Sequence, residues 1–177
     1  SQNFATYLRD NGAKGWTADG TWATATGLAA PVGVGAPTSS ALVNLVQTTA
    51  YSIGYADLTD VNKKNLHFAA ISNGLGKFVK PSTASANAFL AAQKIDSSTG
   101  LVKLNFKSKI KGAYNLSIVT YLVGSTASAD ATSGAAVKDF ANYVLKSCAP
   151  AKAAGLGYVA LKGKILTGAL ALAAKLK

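Results

Sequence analysis

The chain has 177 residues, 49% of them hydrophobic, and a formal net charge of +11 from 18 basic and 7 acidic side chains. That length and apolar content can bury a core of one domain or a little more, and they exclude a disordered chain. Every acid is Asp, and Arg9, His67 and Cys148 are each alone of their kind, which removes a multi-histidine metal site and an internal disulfide, leaves a nucleophilic triad no partners beyond scattered Asp residues, and, with no paired-carboxylate spacing, nearly empties the acid/base inventory.

A first helix is expected over about Ser1 to Arg9, with Phe4, Tyr7 and Leu8 on one face and Asn11-Gly12 as its stop. Trp16 and Trp22 follow in a loop rich in Gly, Thr and Ala, either buried against the domain or forming a ligand-stacking platform. After Pro31, VGVG (32–35) reads as a short strand. The Pro37-Thr38-Ser39 turn then lets Thr38 or Ser39 cap a helix that carries Leu42, Val43, Leu45 and Val46. Ser52 to Tyr55 (SIGY) reads as a short apolar strand, in which Gly54 permits close backbone approach to a neighbouring strand or a hinge. Asp57 or Thr59 can cap the next helix, about Leu58 to Asn65. His67 lies at the edge of an apolar strand, FAAIS. NGLGKFVKP (73–81) is glycine-rich but lacks GxxxxGK[ST], so it predicts a surface turn before a helix over Thr83 to Ala92.

Lys103, Lys107, Lys109 and Lys111 alternate through VKLNFKSKIKG and would share one face of a strand. On an edge strand they would resist unwanted pairing; as a patch they would attract an anionic polymer. Lysine lacks the planar fork that reads guanine edges, which disfavours sequence-specific nucleic-acid binding. Salt-sensitive attraction to nucleic acid, teichoic acid or anionic lipid remains, beside a merely solvated basic surface. A strand over Ala113 to Val123 leads into the low-complexity turn GSTASADATSG and a helix from about Gly134 to Cys148, bearing Val137, Phe140, Ala141, Val144 and Leu145. Cys148 is either a small buried apolar group or half of an intermolecular disulfide. Gly163 to Lys177 predicts an amphipathic helix through Ile165, Leu166, Ala169, Leu170, Ala173 and Leu176, packed on the core or lying on a membrane. No apolar run reaches the ~18 residues of a membrane span. Strands alternating with helices predict an α/β fold, a mixed sheet with flanking helices.

Four passages carry a family resemblance in order: SQNFATYLRDNGAKGW (1–16), GVGAPTSSALVNLVQTTAYSIGYAD (33–57), GAYNLSIVTYLVG (112–124) and AAVKDFANYVLKSCAPAKAAGLGYVAL (135–161). Together they resemble the second half of the phosphate-binding proteins of bacterial ABC transporters, which have the type II periplasmic-binding-protein fold. The resemblance implies an incomplete two-lobed architecture. Residues 1–106 would form a second-lobe-like segment, and residues 107–177 would cross back to the first lobe and end in an amphipathic helix. It also implies an extracytoplasmic binder of phosphate or another oxyanion, not an enzyme, without cofactor. In the family an S-G-T phosphate loop directly precedes the first helix, so Ser1, Gln2 and Asn3 would represent the ligand's edge of the site. Partners would be the missing N-terminal half, in cis or as a separate chain, and an ABC permease. Asn115 stands where the family has Pro in Y-P-I, and Ala160-Leu161-Lys162 replaces P-L-P. These departures leave a second expectation: a structural or surface-assembly protein that keeps the fold, has lost the ligand and self-assembles.

Overall fold

The computed structural model describes residues 1–30, 32–127 and 129–177. Pro31, ahead of the expected VGVG strand, and Ser128, in the low-complexity turn, lie outside the described residues. Helices and small two-stranded sheets are both present, a mixed α and β content, distributed over two compact units, Ser1–Ile71 and Ser72–Lys177.

The first unit is helical. Helix α1 (Gln2–Asp10) ends at Asn11, and Gly12 follows with φ +99°, a left-handed backbone that favours glycine. A short α2 (Trp22–Thr26) stops on Gly27. Helix α3 (Ser39–Thr48) is capped by Thr38, whose Oγ1 accepts from the Ala41 N–H at 3.1 Å. Asp57 precedes α4 (Leu58–Lys63), but its carboxylate makes no capping bond. Instead the Asp57 N–H donates to Ser39 Oγ at 2.7 Å, tying the starts of α3 and α4 together.

Neither of the first two strands expected in this unit forms. Residues 32–35 are irregular, with Val32 and Val34 exposed at 87% and 78%. Ser52–Tyr55 is also irregular, and Ile53 is 92% exposed. A strand needs a partner ladder, and here the chain turns back onto α3 instead: Tyr51 takes φ +58° and Ser52 Oγ bonds the carbonyls of Val46 and Thr49. Gly54 does permit a close approach, but to a helix, not to a strand or hinge. A Cβ there would sit 3.0 Å from Val46 Cγ2 and 3.4 Å from Leu42 Cδ2. His67 is exposed, and of the expected FAAIS strand only β1 (Ile71–Ser72) remains.

A hairpin with β1 and β2 (Phe78–Val79) leads into the second unit. Its turn is closed by Asn73, whose N–H donates to the Lys77 carbonyl while its Oδ1 accepts from the N–H groups of Leu75 and Lys77. Helix α5 (Thr83–Leu90) opens on a reciprocal box, Ser82 Oγ accepting from Ser85 N–H and Ser85 Oγ from Ser82 N–H. Strands β3 (Lys94–Ile95) and β4 (Val102–Lys103) pair antiparallel, with Lys94 opposite Lys103 and Ile95 opposite Val102. In the turn between them Asp96 Oδ1 accepts from Ser98 Oγ and from the N–H groups of Ser98 and Thr99. Those bonds, the Ser98 hydroxyl foremost, hold its carboxyl well below the usual range. Any stability this provides is therefore present above the unfolded value of about 4 and fades only as pH falls through the depressed one.

Helix α6 (Ala131–Tyr143) starts earlier than its apolar spacing suggests, because Asp130 caps it through the N–H groups of Thr132 and Ser133. It runs into a wide π-turn, Val144–Cys148, and then α7 (Ala149–Lys152). Pro150 has no N–H to return to Lys146 and its ring crowds that carbonyl, a physical cause for the widened turn. Cys148 is half-buried. Helix α8 (Gly163–Ala173) buries Ile165 and Ala173.

Phe89 and Phe106 form the centre of this unit's core, both almost fully buried, with ring planes 4° apart and centroids at 6.1 Å. Each such burial contributes about 2 kcal/mol. Strand β4 ends at Lys103, and the strand expected over Ala113 to Val123 is irregular chain. Residues 104–115 are held by buried polar side chains in place of a ladder. Gln93 Oε1 accepts from Asn105 N–H at 2.8 Å, and Asn73 Nδ2 donates to the Ile110 carbonyl at 3.1 Å. Asn115 Nδ2 donates to the carbonyls of Phe106 and Ser108, both at 3.0 Å. The Ser85 carbonyl accepts from Tyr114 N–H. The four lysines of the stripe nevertheless all reach solvent, while Val102 just before them and Phe106 among them are buried.

Two stability outcomes follow from these contacts. Asn115→Ala leaves two carbonyls without their donor, and urea unfolding is expected to register a loss of about 2–4 kcal/mol. Lys103→Glu replaces a like-charge pair across β3 and β4 with an opposite one, and the same assay is expected to gain ~0.5 kcal/mol at low salt and less at high salt.

Candidate functional site

The first turn of α1 carries the three residues singled out by the resemblance, Ser1, Gln2 and Asn3, and all three are exposed. Ser1 occupies the N-cap position without capping, and the first turn contains no acidic residue. The leading N–H groups of a helix have no intrahelical partner, and its dipole places partial positive charge there. Ser1 Oγ turns instead to the Tyr55 hydroxyl, at 2.8 Å across 54 residues of chain. Gln2 Nε2 reaches the Ala18 carbonyl at 3.4 Å. Asn3 lies on the same turn with its side chain toward solvent.

Behind this edge stands an aromatic cluster. Tyr55 stacks on Phe4 at 4.2 Å between centroids and 14° between planes, and Trp22 lies on the stacking side of the same ring at 6.0 Å and 22°. Trp16 meets Trp22 and Phe4 edge-on, at 5.2 and 6.4 Å. Both tryptophans are half-buried, each packed on another ring of the cluster. The loop between them is fixed by Thr17, whose N–H donates to the Ala25 carbonyl at 2.9 Å and whose Oγ1 donates to the Thr24 carbonyl at the same distance. Burial raises the Tyr7 phenol, on the same helix, above its ordinary value.

Tyr55 is the residue that sequence reading did not place at the site. Nothing local marks it, since its role depends on the chain turning back along α3. The available signal was compositional: Phe4, Trp16, Trp22 and Tyr55 hold much of the aromatic content of a unit otherwise rich in Ala, Thr and Gly.

In the second unit a cavity of about 10 Å³ opens between Asn87, Leu90, Ala91, Leu161, Lys162 and Ile165, room for about one water. Among the described residues no three His, Cys, Asp or Glu side chains gather to hold a metal ion, and no helix is long and apolar enough to cross a membrane. No family model matches the chain, and no curated protein or solved structure shows significant similarity to it.

The cluster's geometry separates the two parts of Tyr55. Tyr55→Phe keeps the stack and loses only an exposed hydroxyl contact, so guanidinium unfolding is expected to change by less than about 1 kcal/mol. Tyr55→Ala removes the ring that Phe4 and Trp22 pack on, and the expected loss is ~2 kcal/mol.

Proposed function

We propose that the chain serves as an extracytoplasmic solute-binding component of an ABC transporter, with phosphate or a similar oxyanion as its ligand and a periplasmic-binding-protein architecture of the type II kind. The observation that carries this reading is the Ser1 to Tyr55 hydrogen bond. It brings together, at an uncapped helix start, two of the four passages that resemble phosphate-binding proteins. The chemistry suits an anion. Backbone N–H groups of the first turn, the Ser1 and Tyr55 hydroxyls and the amides of Gln2 and Asn3 are all donors, and no carboxylate in that turn opposes the charge. An opposing lobe, in cis or as a second chain, would close over the dehydrated ion, and a permease would receive it. No catalytic step belongs to this function.

A second reading, a structural or surface-assembly protein without ligand, draws on a different observation. The accessible surface is 11376 Å², whereas two separate compact bodies of these lengths would expose roughly 9,600 Å². Tyr51, Ile53, Val123 and Phe140 are among the large apolar side chains left in solvent, and such surface favours contact with other subunits.

Calorimetric titration of the full chain with inorganic phosphate, paired with light scattering, separates the two. One bound phosphate per chain, weakened roughly ten- to a hundredfold by Ser1→Ala combined with Tyr55→Phe, is the outcome expected for the binder. Polymers that form without regard to phosphate, and no heat of binding, would establish the assembly protein in its place.

A further inference from the structure

The hairpin at the start of the second unit and the lysine-bearing segment 107–111 form one surface. Asn73 Nδ2 donates to the Ile110 carbonyl at 3.1 Å. A Cβ on Gly74 would lie 2.5 Å from the Ser108 carbonyl oxygen and 2.7 Å from that of Lys107, so the turn is pressed against that backbone and only glycine fits there. Lys77 and Lys80 on the hairpin, and Lys107, Lys109 and Lys111 beside it, are all exposed. None of the five takes part in an ion pair among the described residues. From Ser72 to Ala129 seven lysines face a single acid, Asp96, whose carboxylate is occupied by its own turn.

The same hairpin exposes apolar groups among these charges. Phe78 is 78% exposed and Leu75 47%. A large aromatic and an aliphatic side chain exposed on a hairpin that carries Lys77 and is followed by Lys80 combine the two requirements of a peripheral membrane contact: an apolar wedge for the headgroup boundary and point charges for lipid phosphates. We propose that this face docks on an anionic lipid surface, with Phe78 and Leu75 entering the interface and Lys77, Lys80, Lys107, Lys109 and Lys111 lying over the headgroups. Nucleic acid fits less well. Its binders favour the planar fork of arginine and rows of aromatic platforms, and the only Arg of the chain, Arg9, lies in the other unit.

Co-sedimentation of the full chain with vesicles tests the assignment. Vesicles of phosphatidylcholine with roughly one third phosphatidylglycerol should bind the chain at low salt and release it as salt rises, and pure phosphatidylcholine should not bind it. Neutralising three lysines together, with Lys107→Gln, Lys109→Gln and Lys111→Gln, should weaken vesicle binding roughly a hundredfold. Phe78→Ser should weaken it about tenfold and leave any binding to double-stranded DNA unchanged. Equal binding to both vesicle types would overturn the proposal, as would vesicle affinity indifferent to Phe78→Ser. DNA binding tighter than binding to the anionic vesicles would assign the patch to a polymer instead. The vesicle comparison uses the unmodified chain, so it stands even if a variant fails to fold.

Discussion

A buried stretch of backbone that has no neighbouring strand must still find partners for its N–H and C=O groups, and in the second unit that demand falls on a few amide side chains. Gln93, Asn73 and Asn115 are nearly excluded from solvent, and each spends one atom of its amide on the backbone between Asn105 and Ile110. Asn115 leaves its Oδ1 unpaired among the described residues, so it acts as a donor to two carbonyls at once. With the backbone satisfied in this way, Phe106 can turn inward onto Phe89 while the lysines on either side stay wet. The hairpin, the core pair and the basic surface all follow from that arrangement.

The first unit solves a similar problem with rings. It has few long aliphatic side chains in its interior, and among the described residues Ala5, Ala25 and Val43 are the apolar ones it buries fully. Small side chains cannot fill much space, and the stacked Phe4, Tyr55 and Trp22 supply the bulk that they lack. The ring of Tyr55 serves packing while its hydroxyl meets the start of α1, so core and candidate binding edge share one residue.

Helices were legible where a cap and an apolar period coincided. Thr38 before Leu42 and Val43 announces α3 within a residue or two, because both signals are local. The strands were not legible. Apolar runs such as SIGY and the stretch from Ala113 to Val123 look alike whether or not a partner strand exists, and pairing is a property of distant chain. The alternation of Lys103 to Lys111 predicted which side chains face water but not the backbone that presents them, since a coil anchored by amides can keep the same rhythm. At the candidate site the first turn was singled out only through the family resemblance, and Tyr55 was not singled out at all, because its position depends on how the chain leaves α3. The glycine at position 54 was recognised as a point of close approach, and only the structure identifies α3 as what it approaches.

Both tryptophans, Trp16 and Trp22, belong to the first unit, and the second has none. Intrinsic indole emission therefore reports the environment of residues 1–71 alone. Backbone circular dichroism sees the helices of both units. A melt followed by the two signals would superimpose if the chain unfolds as one cooperative body and would separate if the units melt independently, so the uneven placement of two side chains gives this protein a built-in spectroscopic label for one of its halves.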